Sequence, residues 1–235
     1  MKLTVDELAR MVDLSAVRTE VELTEVRQLA ELAKQYRCVC TFVMPCYLPE
    51  LKRLLADTPE VGIGAVVGFP SGAVSTASKV AETCEQIGQG ATEVDMVLNV
   101  GMLRSGREQF VEDDIRAVVQ AASGVPVKVI LEAHYLSDEQ ILRASRICVR
   151  AGAAFVKTGT GWAPTGATLH NVALIKSAIG QSAQVKAAGG VRDLQTVVEM
   201  IRLGVQRFGI GLASGTKILN ECAALPGGAV EVEGA

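Results

Sequence analysis

Short runs rich in β-branched and other apolar residues recur along the chain, and between them apolar residues fall every three or four positions. The short runs are ARMVDLS (9–15), VCTFVM (39–44), GIGAVVGF (62–69), EVDMVLN (93–99), PVKVILEA (126–133), AFVKTG (154–159), AQVKAAGG (183–190) and QRFGIG (206–211). Each has the length and residue types of a buried strand. Amphipathic stretches over 25–36, 75–88, 108–122, 138–151, 168–179 and 193–203 separate them, with Gly, Asp or Ser at many junctions, which is the punctuation of helix ends. Regular strand–helix alternation predicts a parallel sheet. Eight such units in 235 residues without a linker or low-complexity insert predict one α/β domain, a closed (β/α)8 TIM barrel over 1–225, rather than an open doubly wound sheet. The Gly-rich, acidic tail 226–235 is expected to lie outside the core as a flexible end.

Alternation within each strand assigns faces, because successive side chains of a strand point to opposite sides. In 93–99 the apolar Val94, Met96 and Leu98 should meet the helices, which turns Glu93, Asp95, Val97 and Asn99 inward. By the same parity Val127, Val129 and Leu131 face outward while Lys128, Ile130 and Glu132 face the barrel interior, and Val156 and Val185 leave Lys157 and Lys186 inside. Barrel interiors are normally filled by branched aliphatics, and an unpaired buried charge is costly. One account of these charges is that they form mutual ion pairs fixing strand register. The other is chemical.

The three inward lysines, Lys128, Lys157 and Lys186, are spaced 29 residues apart, about one strand–helix unit. Lys157 and Lys186 stand at the ends of their strands, just before the loops TGTG and AAGG, on the face where barrels of this kind carry their active sites. A free lysine has a pKa of about 10.4, so well under one part in a thousand is neutral at pH 7. A second ammonium on the next strand, about 4.8 Å away across the ladder, disfavours the charged form and releases a nucleophilic amine. Lys157 is assigned as the nucleophile because it precedes the more open loop, with Lys186 lowering its pKa and moving protons; spacing alone permits the reverse. Asp95 is suited to share the proton transfer or to pair with Lys128. Lys128 and Glu132 are expected to orient Asp95 and Lys157 from behind.

Composition narrows the alternatives. The net charge is −3 and no basic stripe is present, which argues against a nucleic-acid partner. No apolar run reaches a membrane-spanning length and the N-terminal segment has no apolar signal core, so a cytoplasmic protein is expected. The six cysteines, at 38, 40, 46, 84, 148 and 222, lack paired spacing and are expected to be reduced and mostly buried. His134 and His170 stand alone without ligand spacing, and no His–carboxylate cluster suggests a metal. The expected partners are small molecules, with no cofactor required. A phosphate handle is expected at Gly189 and Gly190 after the seventh strand, and at Gly209, Gly211 and Ser214 near the start of a helix over 213–220, where backbone N–H groups are free. Thr158, in the TGTG loop, joins this set of substrate contacts with Lys128.

These residues resemble the deoxyribose-phosphate aldolase family over roughly 8–220. The resemblance rests on VDLS (12–15), VVGFPSG (66–72), EVDMVLNVG (93–101), KVILE (128–132), FVKTGTG (155–161) and KAAGG (186–190). It implies a class I aldolase with the barrel fold, an imine on Lys157, perturbation by Lys186 and a proton relay through Asp95. It also implies the reversible cleavage of 2-deoxy-D-ribose 5-phosphate to acetaldehyde and D-glyceraldehyde 3-phosphate. The chain departs from the family pattern at Gly159, where serine is usual, at Trp162, at Ala133-His134 and in a longer strand-eight junction, all of which bear on substrate contacts. Two other readings fit the same residues: a Schiff-base aldolase for another sugar or sugar phosphate, and a non-catalytic sugar-phosphate-binding barrel. A homodimer is expected of such an enzyme.

Overall fold

The computed structural model describes residues 2–232. A short strand β1 (Lys2–Thr4) and helix α1 (Val5–Ala9) precede the first barrel strand, β2 (Val12–Ala16). There follow α2 (Leu23–Tyr36), β3 (Cys40–Val43), α3 (Leu48–Leu54), β4 (Gly62–Val67), α4 (Thr76–Gly88), β5 (Glu93–Val97), α5 (Val100–Arg104) and α6 (Glu108–Ala121). The second half contains β6 (Val127–Ile130), α7 (Asp138–Arg150), β7 (Phe155–Lys157), α8 (Leu169–Ile179), β8 (Gln184–Ala188), α9 (Leu194–Arg202), β9 (Arg207–Gly211), α10 (Leu212–Ala223) and β10 (Ala229–Glu231). Strands β2 to β9 pair in sequence order, all parallel, and β9 returns to β2 to close the barrel. The eight predicted strands are the eight staves, and the fold is a single (β/α)8 barrel.

Helix starts are written locally. Thr4, Ser137 and Thr168 form capping boxes, and Ser75 and Asp193 accept from the third helical N–H, satisfying donors that the first turn leaves unpaired. The main core lies between staves and helices and contains the predicted outward residues Val94, Met96, Val127, Val129, Val156 and Val185. A separate small cluster of Cys40, Phe42 and Val66 fills part of the interior. One buried ion pair lies outside the barrel: Lys79 donates to Asp114 at 2.6 Å and to the Val97 carbonyl at 2.9 Å, tying α4 to α6 and β5.

The tail departs from expectation. Ala229–Glu231 pairs antiparallel with Lys2–Thr4, and Val232 is fully buried. The β-branched Val230 and Val232 on either side of Glu231 suit a strand that the short length and Gly-rich approach conceal. Residues 233–235 of the predicted tail lie outside the described residues. Among the described residues, no helix is long and apolar enough to cross a membrane.

Candidate active site

Around the C-terminal ends of the staves opens a cavity of about 300 Å³, within the size range of sites for small ligands. Asp95, Lys157 and Lys186 line it at depth, and Gly189, Gly190, Gly211 and Ser214 line one side. Strand register sets this up: Lys157 is the direct neighbour of Lys186 across β7 and β8, and Asp95 is the neighbour of Lys128 across β5 and β6. One oxygen, Asp95 Oδ2, accepts from both Lys157 Nζ and Lys186 Nζ at 2.6 Å. Lys186 Nζ also lies 2.6 Å from Asp13 Oδ2, on β2.

Below this pair the interior is ionic. Lys128 Nζ pairs with Glu93 and lies 3.4 Å from Asp95 Oδ1 and 3.6 Å from Asp13 Oδ2. Arg207, at the start of β9, donates to Asp13 at 2.7 Å and to Glu93 at 3.0 Å. Four cations therefore meet three carboxylates. Burial alone pushes the Asp13 and Asp95 carboxyls up, but the surrounding lysines, with Arg207 also beside Asp13, hold both below the usual carboxylate range. Burial pulls the Lys128 ammonium down, and Asp13 and Asp95 more than reverse it.

Lys157 is different. Burial is the larger cause and the neighbouring Lys186 charge adds to it; together they outweigh Asp95 and lower the amine to about 8. At pH 7 a group of that pKa is neutral in roughly one molecule in ten, about two orders of magnitude more than a free lysine. Lys157 is also 7% exposed against 1% for Lys186, so the more accessible amine is the one that gives up its proton. A deprotonated amine at the bottom of a pocket, beside a carboxylate and a second amine, can add to a carbonyl and relay the protons that imine chemistry requires.

A model of the DeoC/LacD family of aldolases matches residues 3–221. Deoxyribose-phosphate aldolase of Klebsiella pneumoniae is 48% identical over 223 residues, covering 94% of this chain and 90% of its own. That of Sinorhizobium medicae is 44% identical, covering 97% and 92%. The chain belongs to the DeoC/LacD family of aldolases. Among solved structures, the deoxyribose phosphate aldolase of Aeropyrum pernix, described as a tetramer, superposes with a TM-score of 0.86 at 28% identity over 95% of this chain and 94% of its own. These relatives are aldolases and hence lyases, and the chain is an enzyme of that class.

In this aldolase the structure brings Lys157, Lys186 and Asp95 together, with Gly189, Gly190, Gly209, Gly211 and Ser214 around the same cavity. Gly209 has a packing reason, since a Cβ there would stand 2.8 Å from the Ala188 Cβ and 3.2 Å from the Lys186 stem. Two expected substrate contacts are corrected. Lys128 is fully buried beneath the Phe42 ring, among Asp13, Glu93 and Asp95. Thr158 points away from the cavity and braces β7 to β8, donating to the Ala188 carbonyl at 2.8 Å and accepting from its N–H at 2.9 Å. Glu132 is corrected as well: its backbone is left-handed, with φ 52°, and its carboxylate holds the Thr160 N–H and hydroxyl instead of Asp95 or Lys157. Gly159 suits that brace, because a Cβ there would come 2.9 Å from Glu132 Oε1.

Residues not singled out from the sequence complete the site. Asp13 and Arg207 belong to the ion network, while Arg18 and Arg192 line the mouth. Trp162, already marked in the sequence as a departure from the family pattern, crosses from the β7 loop to the β2 loop, its Nε1 donating to the Val17 carbonyl at 2.8 Å, with Arg18 over its ring and Phe69 against it edge-on. Asp13, Cys40 and Glu93 approach closely enough to suggest a metal site. Both carboxylates already pair with Lys128 and Arg207, however, and burial holds the Cys40 thiol well above its ordinary range. This donor set fits the cations that occupy it.

The depressed carboxylates have a consequence for stability. Asp13 and Asp95 titrate lower in the folded chain than in the unfolded one, so their contribution is present in full above the unfolded value near about 4 and is lost as pH falls toward the native values. Melting followed by circular dichroism should give a midpoint nearly constant from pH 5 to 7 and falling steadily below pH 4. In Asp95→Asn that acid-side slope should be shallower.

Proposed function

We propose that this aldolase cleaves 2-deoxy-D-ribose 5-phosphate reversibly to acetaldehyde and D-glyceraldehyde 3-phosphate through an imine on Lys157. The observation that carries the reading is the shared Asp95 oxygen beneath two cavity-lining lysines, of which Lys157 is the more exposed. The neutral Lys157 amine adds to the C1 aldehyde of the open-chain sugar and water leaves. The resulting iminium withdraws electrons, so the C2–C3 bond breaks as a base takes the C3 hydroxyl proton. Asp95 and Lys186 form that relay. The departing fragment is the phosphorylated aldehyde; the enamine left on Lys157 is protonated at C2, and water then releases acetaldehyde.

The glycine-rich edge at Gly189, Gly190 and Gly211, with Ser214 and the Arg18 and Arg192 guanidiniums at the mouth, supports a phosphate at the far end of the substrate. Backbone N–H groups at the start of a helix favour such an anion. The names of the curated relatives support the same substrate. A second reading, a different acceptor aldehyde, draws on Trp162, whose indole packs against Arg18 and Phe69, both of which line the cavity. A panel of aldehydes, with and without phosphate, separates the two by kcat/KM.

Borohydride quenching in the presence of acetaldehyde is the direct test. A two-carbon adduct should be found on Lys157 by peptide mass mapping, and its rate of formation should rise as pH increases from 6 toward 8 and level above it, because the neutral amine is the reacting form. An adduct mapped to Lys186, or none at all, would overturn the assignment.

A further inference from the structure

Among the described residues, Lys128, Lys157, Lys186 and Arg207 form one ionic cluster with Asp13, Glu93 and Asp95, so with every group of the cluster ionised one positive charge is in excess. The excess is removed if one amine is neutral, but the count does not say which. Lys157 meets Asp95 on β5, Asp13 on β2 and Lys186 on β8. Lys186 meets Asp95, Asp13 and Lys157, with Arg207 as its register neighbour on β9. Lys128 meets Asp13, Glu93 and Asp95, with the Cys40 thiol nearby. The carboxylates are thus shared among all three lysines, and another asymmetry is needed to choose between them.

Phe42, on β3, supplies one. Its ring centroid lies 4.1 Å from Lys186 Nζ and 4.7 Å from Lys128 Nζ, inside the distance at which a ring face attracts a cation, and the attraction is stronger where water is excluded. The ring is 2% exposed. Room for the ring is left by Gly64, its register partner on β4, where a Cβ would stand 2.3 Å from the ring. Glycine within a strand is ordinarily unfavourable, so here it makes the space that the ring occupies.

We infer that Phe42, seated over Gly64, is a positioning residue that fixes which lysine is the neutral amine, by presenting its ring face to the Lys186 and Lys128 ammonium groups. Charge is drawn to the two lysines under the ring, and the proton most readily given up is that of Lys157 at the cavity. Phe42 acts here through Lys186, whose positive charge disfavours a second one on Lys157. The inference deepens the imine reading above and rests on it for its catalytic meaning.

The test replaces Phe42 by phenylalanines fluorinated at one, two and three ring positions, which weaken the ring face in steps at nearly constant shape, and so leave the packing over Gly64 intact. The readout is the titration of the Lys157 side chain by nitrogen-15 NMR, assigned with Lys157→Arg, and it does not depend on catalysis. As the face weakens, charge on Lys186 is less favoured and Lys157 is repelled less, so its pKa should rise in order with fluorination, by about half a unit or more for the trifluoro ring. Phe42→Leu should show at least the same rise. A Lys157 pKa that stays fixed across the fluorinated series overturns the inference even if the acetaldehyde adduct forms on Lys157. A pKa that moves in a protein giving no adduct supports the role of the ring and sinks the aldolase reading instead.

Discussion

Replacing Lys157 by methionine is expected to reduce cleavage of 2-deoxy-D-ribose 5-phosphate by about 10⁴-fold or more, the scale on which loss of a covalent nucleophile is felt. The acetaldehyde adduct should vanish with it. The same variant separates catalysis from structure. Asp95 would keep Lys186 at 2.6 Å and Lys128 at 3.4 Å, so no carboxylate is left alone, and the melting temperature should stay within a few degrees of the parent. Were the chain a non-catalytic barrel held by these ion pairs, breaking the buried pair would cost about 3–5 kcal/mol. A large fall in melting temperature with no activity to lose would favour that reading.

The second large effect is expected at Asp95. Asp95→Asn preserves shape but removes the charge that faces Lys157, Lys186 and Lys128. Because Asp95 raises the Lys157 pKa, its loss should lower that pKa further and leave more neutral amine at pH 7. Imine formation should therefore persist, while turnover falls by about 10²- to 10⁴-fold for want of the proton relay. Folding stability should drop by about 3–5 kcal/mol, since three buried cations lose a counter-charge. Rapid-quench trapping beside steady-state kcat, with urea unfolding on the same sample, gives the three quantities together. An Asp95→Asn enzyme that traps acetaldehyde no better than the parent and keeps its kcat would exclude Asp95 from the relay.

Much of this site is legible in the sequence because the strand period is two. Parity alone turns Asp95, Lys157 and Lys186 to the same interior, and register makes the two lysines neighbours. The same rule, followed one residue further, turns Thr158 outward, which is how it comes to brace the sheet. What parity does not carry is height along the barrel axis, and so Lys128, inward as expected, lies beneath the cavity floor. Glu132 escapes the rule because its left-handed backbone ends the alternation of β6. Arg207 and Asp13 reveal their part only across the seam between β9 and β2, which joins residues at opposite ends of the chain.

That seam also governs when the site comes into existence. Asp13 is within reach of Lys186 only after β2 has joined β9, and the β1–β10 clasp brings Lys2 beside Glu231. Contacts of such long sequence separation form late and slowly. A nascent chain emerging from the ribosome therefore holds its three lysines without their full set of counter-charges until β9 has been made and has joined β2, and the gain of a reactive Lys157 amine would report barrel closure itself.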